Sequence, residues 1–221
     1  MSSMKLFIIG IAGQTGSRVA RHLFQAGDSV SGLCRRREQT AAVQQMGARA
    51  VVGDLVTLSE AGLTAAVSGA DALVYTAGAG EQDDDSLIDA IDGAGVRKAI
   101  VAARAAGISK FLLVSVFPEA RRGEDAPPSF EHYIKVKKRA EVDLVHSALD
   151  WLILRPSSLT NEAGTDRVNL SPAEIHTTVS RDDVAAIIVA LLHAPGLSRR
   201  VLEVTAGSSR IVDAVRQLLQ Q

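Results

Sequence analysis

Short, mostly apolar runs alternate with longer amphipathic ones along almost the whole chain. KLFIIG, DSVSGLC, ARAVVGD, DALVYTAG, KFLLVSV, WLILRP and RVLEVTAG are each closed off by turn or polar residues, which predicts seven strands. Their apolar positions are consecutive more often than alternating, as expected of strands covered on both faces. The longer runs carry helical spacing. GSRVARHLFQAG places Val19 and Leu23 four apart, with Ala20 and Phe24 alongside, in one apolar stripe that Gly27 closes. RKAIVAARAAGISK repeats the scheme, with Ile100 and Ala103 inward and Gly107 as the stop. In VSRDDVAAIIVALL, Ser180 is the N-cap, Asp183 follows three residues on, and Val179 and Val184 are spaced as a hydrophobic staple.

Alternating β and α elements imply a parallel sheet with helices on both faces. The expectation is an α/β, doubly wound sheet of about seven strands in a single domain, residues 1–221, with a small C-terminal substrate-loop region. AGAGEQDDDS, FPEARRGEDAPPSFEH and SSLTNEAGTDRVNLSPAEIH read as long loops. Each follows the carboxyl end of a strand, where open α/β sheets bind their ligands.

Composition narrows the classes. With 221 residues and 47% hydrophobic content the chain can bury one large core. The balance of 24 basic and 25 acidic residues leaves no electrostatic footprint for nucleic acid or an anionic membrane. Expected partners are a small-molecule substrate and at most a second copy, as monomer or homodimer. MSSMKLFIIG runs straight into glycines as a first strand rather than a targeting segment, and no stretch approaches the roughly 18 apolar residues of a membrane span. Cys34, the only cysteine, points to a reducing cytoplasm and excludes a multi-thiolate metal site; in this setting it reads as a small buried packer. The five histidines show no HExxH or HxH spacing, so no metal is expected.

Gly10, Gly13 and Gly16 then acquire a meaning. They form GxxGxxG, the first ending an apolar strand and the last opening an amphipathic helix. In that context the loop, with Ala12, Gln14 and Thr15 between its glycines, reads as a dinucleotide phosphate loop in which helix N–H groups meet the pyrophosphate. A plain βα turn is the bland alternative. The second strand ends in Leu33-Cys34-Arg35-Arg36-Arg37, where a carboxylate would repel a 2'-phosphate and guanidinium groups grip it in two-pronged fashion. Arg35 and Arg36 therefore favour NADP(H) over NAD(H). Asp54, with Leu55 after the third strand, is placed to accept from an adenine amino group or to serve as a helix N-cap. Thr76, Ala77 and Gly78 let the backbone approach the adenosine.

Tyr133 and Lys137 are four apart, so on a helix they share a face, and an ammonium beside a phenol stabilises the phenolate. Ser115, at the end of the fifth strand, is placed to hydrogen-bond a substrate oxygen. Lys135, Lys138 and Arg139 spread round the axis as a solvated face. Asp83, Asp84 and Asp85 suit the positive end of the helix that follows, and Trp151 reads as core.

GIAGQTG, GD-L, FLLVSV, YIKVK, LDWLILRPSSLT and SRDDVA come in an order and spacing that resembles the short-chain dehydrogenase/reductase superfamily, in its atypical, extended-like branch of small NAD(P)H-binding proteins. The resemblance covers nearly the whole chain. It implies a Rossmann domain without the larger sugar-binding addition of sugar-nucleotide epimerases, since only about 65 residues follow Arg155. It also implies a role for each reacting group: Tyr133 donates a proton to a carbonyl as NADPH delivers hydride, Lys137 also binds the nicotinamide ribose, and Ser115 orients the substrate. Pro156 and Ser157 would lie beside the nicotinamide. The helix asparagine of the superfamily's tetrad has no assigned counterpart. The expected function is reduction of a small carbonyl or quinone-like substrate. A nonenzymatic NADP(H)-binding redox sensor, or an epimerase or isomerase that retains NAD, are the alternatives.

Overall fold

A computed structural model of the protein describes residues 3–79, 84–120 and 128–220. Asp83 and much of the segment FPEARRGEDAPPSFEH lie outside the described residues. The seven expected strands are all present: β1 (Lys5–Ile9), β2 (Ser29–Cys34), β3 (Arg49–Val52), β4 (Ala72–Tyr75), β5 (Lys110–Val114), β6 (Asp150–Pro156) and, later, β10 (Arg200–Ala206). They pair in parallel in the order β3-β2-β1-β4-β5-β6-β10. The order reverses between β1 and β4, and that switch point opens a crevice beyond the strand ends.

Burial explains the apolar runs. In β1, Leu6 and Ile8 enter one core layer while Phe7 and Ile9 enter the other. Trp151 and Ile153 of β6 likewise oppose Leu152 and Leu154. Helices α1 (Gln14–Gln25), α7 (Arg181–Leu192) and α8 (Ile211–Leu218) cover the first layer, and α3 (Glu60–Val67), α5 (Val96–Ala105) and α6 (Pro128–Val145) the second. A short α2 (Thr40–Gln45) precedes β3. Ser180 caps α7 by accepting from the Asp183 N–H at 2.9 Å, and Val179 and Val184 are both buried beside it. Cys34 and Trp151 are buried, as packing residues should be.

Two expectations need correction. The sheet has nine strands among the described residues, because the segment after β6 is not simply a loop. Within it β8 (Arg167–Ser171) pairs antiparallel with β10 and with β11 (Ser209–Arg210), while β7 (Ser158–Thr160) and β9 (Thr178–Ser180) form a separate two-stranded parallel sheet. RVNLS alternates exposed or half-buried with buried residues, so it lacks the continuous apolar signature of the inner strands. Phe24 is 54% exposed rather than part of the α1 stripe. Its ring lies against Gly47, at a point where a Cβ would collide with it.

Between β4 and α5 the chain forms α4 (Asp85–Ile88) and then a π-helical stretch, Asp89–Gly95. Asp84 caps α4 by accepting from Leu87 N–H at 3.0 Å, and Asp85 stands in its first turn. No helix among the described residues is long and apolar enough to cross a membrane.

Candidate active site

At the end of β1 the chain turns at Gly10, whose φ of +93° favours glycine. A Cβ on Gly10 would stand 2.6 Å from the Ala77 nitrogen, and one on Gly16 would overlap the Gly10 carbonyl. The glycines thus let the turn, the end of β4 and α1 close on one another. The Gly13 N–H donates to the Gly10 carbonyl at 2.9 Å, and α1 begins with no side-chain cap. Its first-turn N–H groups and its dipole therefore present positive charge to an anion.

A cleft of about 490 Å³ opens beside this turn and crosses the ends of β1 to β4. Gly10, Ala12 and Gly13 form one wall, while Gln14, Thr15 and Gly16 belong to α1 behind it. Arg35 and Arg36 line the far end and are exposed. Arg37 begins the next turn, outside the lining. Asp54 and Leu55 line the middle, and Thr76, Ala77 and Gly78 the side toward β4. An uncapped helix end at one side and two guanidiniums at the other suit the phosphate groups of a dinucleotide, with small residues between them for its adenosine. The Asp54 carboxylate accepts from the Val56 N–H at 2.9 Å, so it caps a turn; the N-cap of α3 is Ser59. Lys98 of α5, which nothing in the pattern singled out, donates to the carbonyls of Leu55 at 2.8 Å, Val56 at 3.2 Å and Leu58 at 2.6 Å. It ties down the same turn from below.

Beyond β5 the three expected reacting groups come together. Ser115 follows the strand directly and is buried, its N–H donating to the Leu154 carbonyl at 2.8 Å. Lys137 Nζ donates to the carbonyl of Val114, the residue before Ser115, at 3.0 Å. Tyr133, one turn earlier on α6, is half-buried, with its ring centroid 5.9 Å from that ammonium. Burial pushes the Lys137 pKa down, but the charges of Tyr133, Asp92 and Glu141 outweigh it, leaving the pKa above the ordinary lysine value.

Asp92 is the residue that sequence reasoning missed. It is fully buried in the π-helical stretch, with Oδ1 3.2 Å from Lys137 Nζ and Oδ2 accepting from the Ala79 N–H at 2.9 Å. One carboxylate thus joins the segment after β4, beside the cleft, to α6. The signal lay in DAIDGAG, where two glycines interrupt a helical run around an acid. Gly95 leaves room for the Tyr75 hydroxyl, which donates to the Ile91 carbonyl at 2.6 Å. Burial, and then the Asp92 charge, raise the Tyr75 pKa, so this phenol stays neutral and structural.

A second buried network backs the site. Arg155 of β6 grips Glu141 of α6 with two bonds, Nε to Oε1 at 2.8 Å and Nη2 to Oε2 at 2.6 Å, and approaches Glu203 of β10 at 3.4 Å. Burial works to raise the Glu141 pKa, but Arg155 and the nearby Ser115 hydroxyl bring it below the ordinary value. The Ser115 contact falls short of a well-formed hydrogen bond, so Arg155 is the main support. Glu203 in turn accepts from the Glu174 N–H at 2.9 Å, and Ser157 Oγ accepts from the Thr177 N–H at 2.7 Å. Pro156 ends β6 and the Ser157 hydroxyl is turned to this loop. The loop so pinned carries His176, whose ring meets Phe117 edge-on at 5.1 Å, two residues after Ser115.

A family model described as NAD(P)H-binding matches residues 10–195. The chain is 36% identical over 219 residues to YhfK of Bacillus subtilis, named an uncharacterized sugar epimerase, covering 97% of this chain and all of that one. Among solved structures it is similar to a Bacillus halodurans protein provisionally named an NAD-dependent epimerase/dehydratase, at TM-score 0.88 and 29% identity, covering 97% of this chain and 100% of that one. It is also similar to ChuY, an anaerobillin reductase of Escherichia coli O157:H7, at TM-score 0.78 and 25% identity, covering 93% and 98%.

Proposed function

The chain belongs to the NAD(P)H-binding family, and on that premise we propose that it is an NADPH-dependent oxidoreductase that reduces a small carbonyl or quinone-like substrate, with Tyr133 as proton donor. The observation that carries this reading is the convergence of Tyr133, Lys137 and Ser115 at the end of β5, coupled by Asp92 to the cleft. Bound NADPH supplies the hydride. The chain's own residues do the rest. Gly10 and Gly13 bring the uncapped α1 end to the diphosphate, with Gln14, Thr15 and Gly16 supplying its first-turn N–H groups. Arg35 and Arg36 hold a 2'-phosphate, which favours NADP(H) over NAD(H).

Lys137, kept charged by Asp92, stabilises the phenolate of Tyr133 as its proton passes to the substrate oxygen. Ser115 positions that oxygen, and Pro156 and Ser157 border the nicotinamide. We assign the whole chain to one domain whose C-terminal part, including the His176 loop, shapes the substrate side. A single cysteine, buried, suits a reducing cytoplasm.

Turnover tests the proposal. With a carbonyl and quinone panel, the protein should oxidise NADPH, and Tyr133→Phe should slow turnover by about a hundredfold or more while leaving NADPH binding intact. Tight NADPH binding with no turnover on any substrate would instead indicate a redox sensor. A second reading, an epimerase that retains its cofactor, is favoured by the names of the two Bacillus relatives. It requires NAD to remain bound through purification.

A further inference from the structure

Between β8 and β9 the chain is held by three buried polar residues, although none of residues 172–177 is itself buried. Glu203, which also faces Arg155, accepts from the Glu174 N–H at 2.9 Å. Ser157 Oγ accepts from the Thr177 N–H at 2.7 Å, and the Thr205 hydroxyl meets that of Thr177. Polar groups taken out of water need partners, and here they find them in a loop that adds nothing to the core. Ile175, between the anchored residues, is 81% exposed. What the three anchors fix is the direction of one side chain, the imidazole of His176.

That ring is half-buried between the chain following β5 and the chain following β6. On one side it meets the buried Phe117 edge-on at 5.1 Å, and on the other its Nε2 lies 3.4 Å from Ser158 Oγ. Phe117 stands two residues after Ser115, and Ser158 directly follows Ser157. Each contact thus lies within about 7 Å along the chain of a residue that the proposed reduction uses. Nδ1 of His176 has no partner among the described residues. A ring held on both faces of this gap, with one nitrogen unused, is preorganised for a ligand atom.

In the reduction, Ser115 and Tyr133 take the reacting oxygen, which leaves His176 for another polar atom. We propose, building on the reductase reading, that His176 binds a second oxygen of the substrate, so that the substrate is a dicarbonyl or quinone rather than a simple ketone or aldehyde. A site that bonds a polar atom rejects the analogue lacking it, because the protein group is then left unpaired.

Steady-state kinetics on the full chain, with NADPH and the matched pair diacetyl and butanone, tests this. The quantity read is the ratio of kcat/KM for the diketone to that for the ketone, compared between wild type and variants, which cancels the diketone's greater intrinsic reactivity. His176→Phe keeps a ring against Phe117 and loses both nitrogens. Its ratio should fall about tenfold or more, through KM for diacetyl, and His176→Gln should recover part of the loss. An unchanged ratio, or equal losses on both substrates as a merely structural role would give, would overturn the proposal. Binding is read separately from the His176 Cε1–H resonance in NMR spectra of the protein saturated with NADP+, assigned by its loss in either variant. Diacetyl should shift this resonance and butanone should not; equal shifts, or none, would count against the assignment. A selective shift in a protein that oxidises no NADPH would remove the reductase reading and leave the His176 subsite standing.

Discussion

The Lys137 ammonium lies 3.2 Å from Oδ1 of Asp92, with the carboxylate fully enclosed and the lysine nearly so. A buried charge left without its partner is costly, about 3–5 kcal/mol. Asp92→Asn should therefore lower stability by an amount in that range, measured by urea unfolding. Lys137→Met should cost a similar amount, and the double variant less than the sum, because the two residues share one interaction. Additive losses would show that the pair is not coupled.

The arginines past β2 predict a cofactor preference. Fluorescence titration should show NADPH binding more tightly than NADH, and Arg35→Ala or Arg36→Ala should narrow the gap by about tenfold, with little change for NADH. Both residues are exposed, so the preference should also weaken as salt rises.

Lys98 holds three carbonyls of the turn that frames the cleft between Asp54 and Leu58. Lys98→Met leaves those acceptors without their charged donor, at a cost of about 1–3 kcal/mol. NADPH affinity should fall with it, because Leu55 and Val56 line the cleft.

Glu141 sets an acid limit. Its folded pKa lies below the ordinary 4.5, so its contribution is fully present above that value and disappears as pH falls through the lower folded value. Glu141→Gln should cost about 1.5–3 kcal/mol at neutral pH by weakening the two-bond grip on Arg155 and leaving it only the longer contact with Glu203, and the difference from wild type should shrink on acidification. Stability measured by denaturant unfolding from pH 3 to 7 checks the sign.

The seven parallel strands were legible because each carries apolar side chains to two core layers at once, as Leu6 and Phe7 do. The Gly10 turn was legible because a left-handed residue packed against Ala77 admits little else. Strand β8 was not: RVNLS becomes a strand only when β10 offers it an antiparallel edge. Asp92 was hidden for a related reason. An acid in a helical run reads as solvent-facing until α6 and the end of β4 close over it, and its partner Lys137 lies 45 positions away. Arg155 and Glu141 likewise look like ordinary surface charges in one dimension. Their meeting depends on α6 crossing the end of β6.

In the proposed reduction, hydride passes from NADPH to a substrate carbon while Tyr133 supplies the proton. The direct measurement is turnover with NADPH deuterated at its transferable position, followed by mass analysis of the product in wild type and Tyr133→Phe. One deuterium should appear on the product carbon for each NADPH consumed, and the rate should be lower by about a hundredfold to ten-thousandfold in the variant. Unlabelled product with NADPH unconsumed, or full activity in Tyr133→Phe, would contradict it.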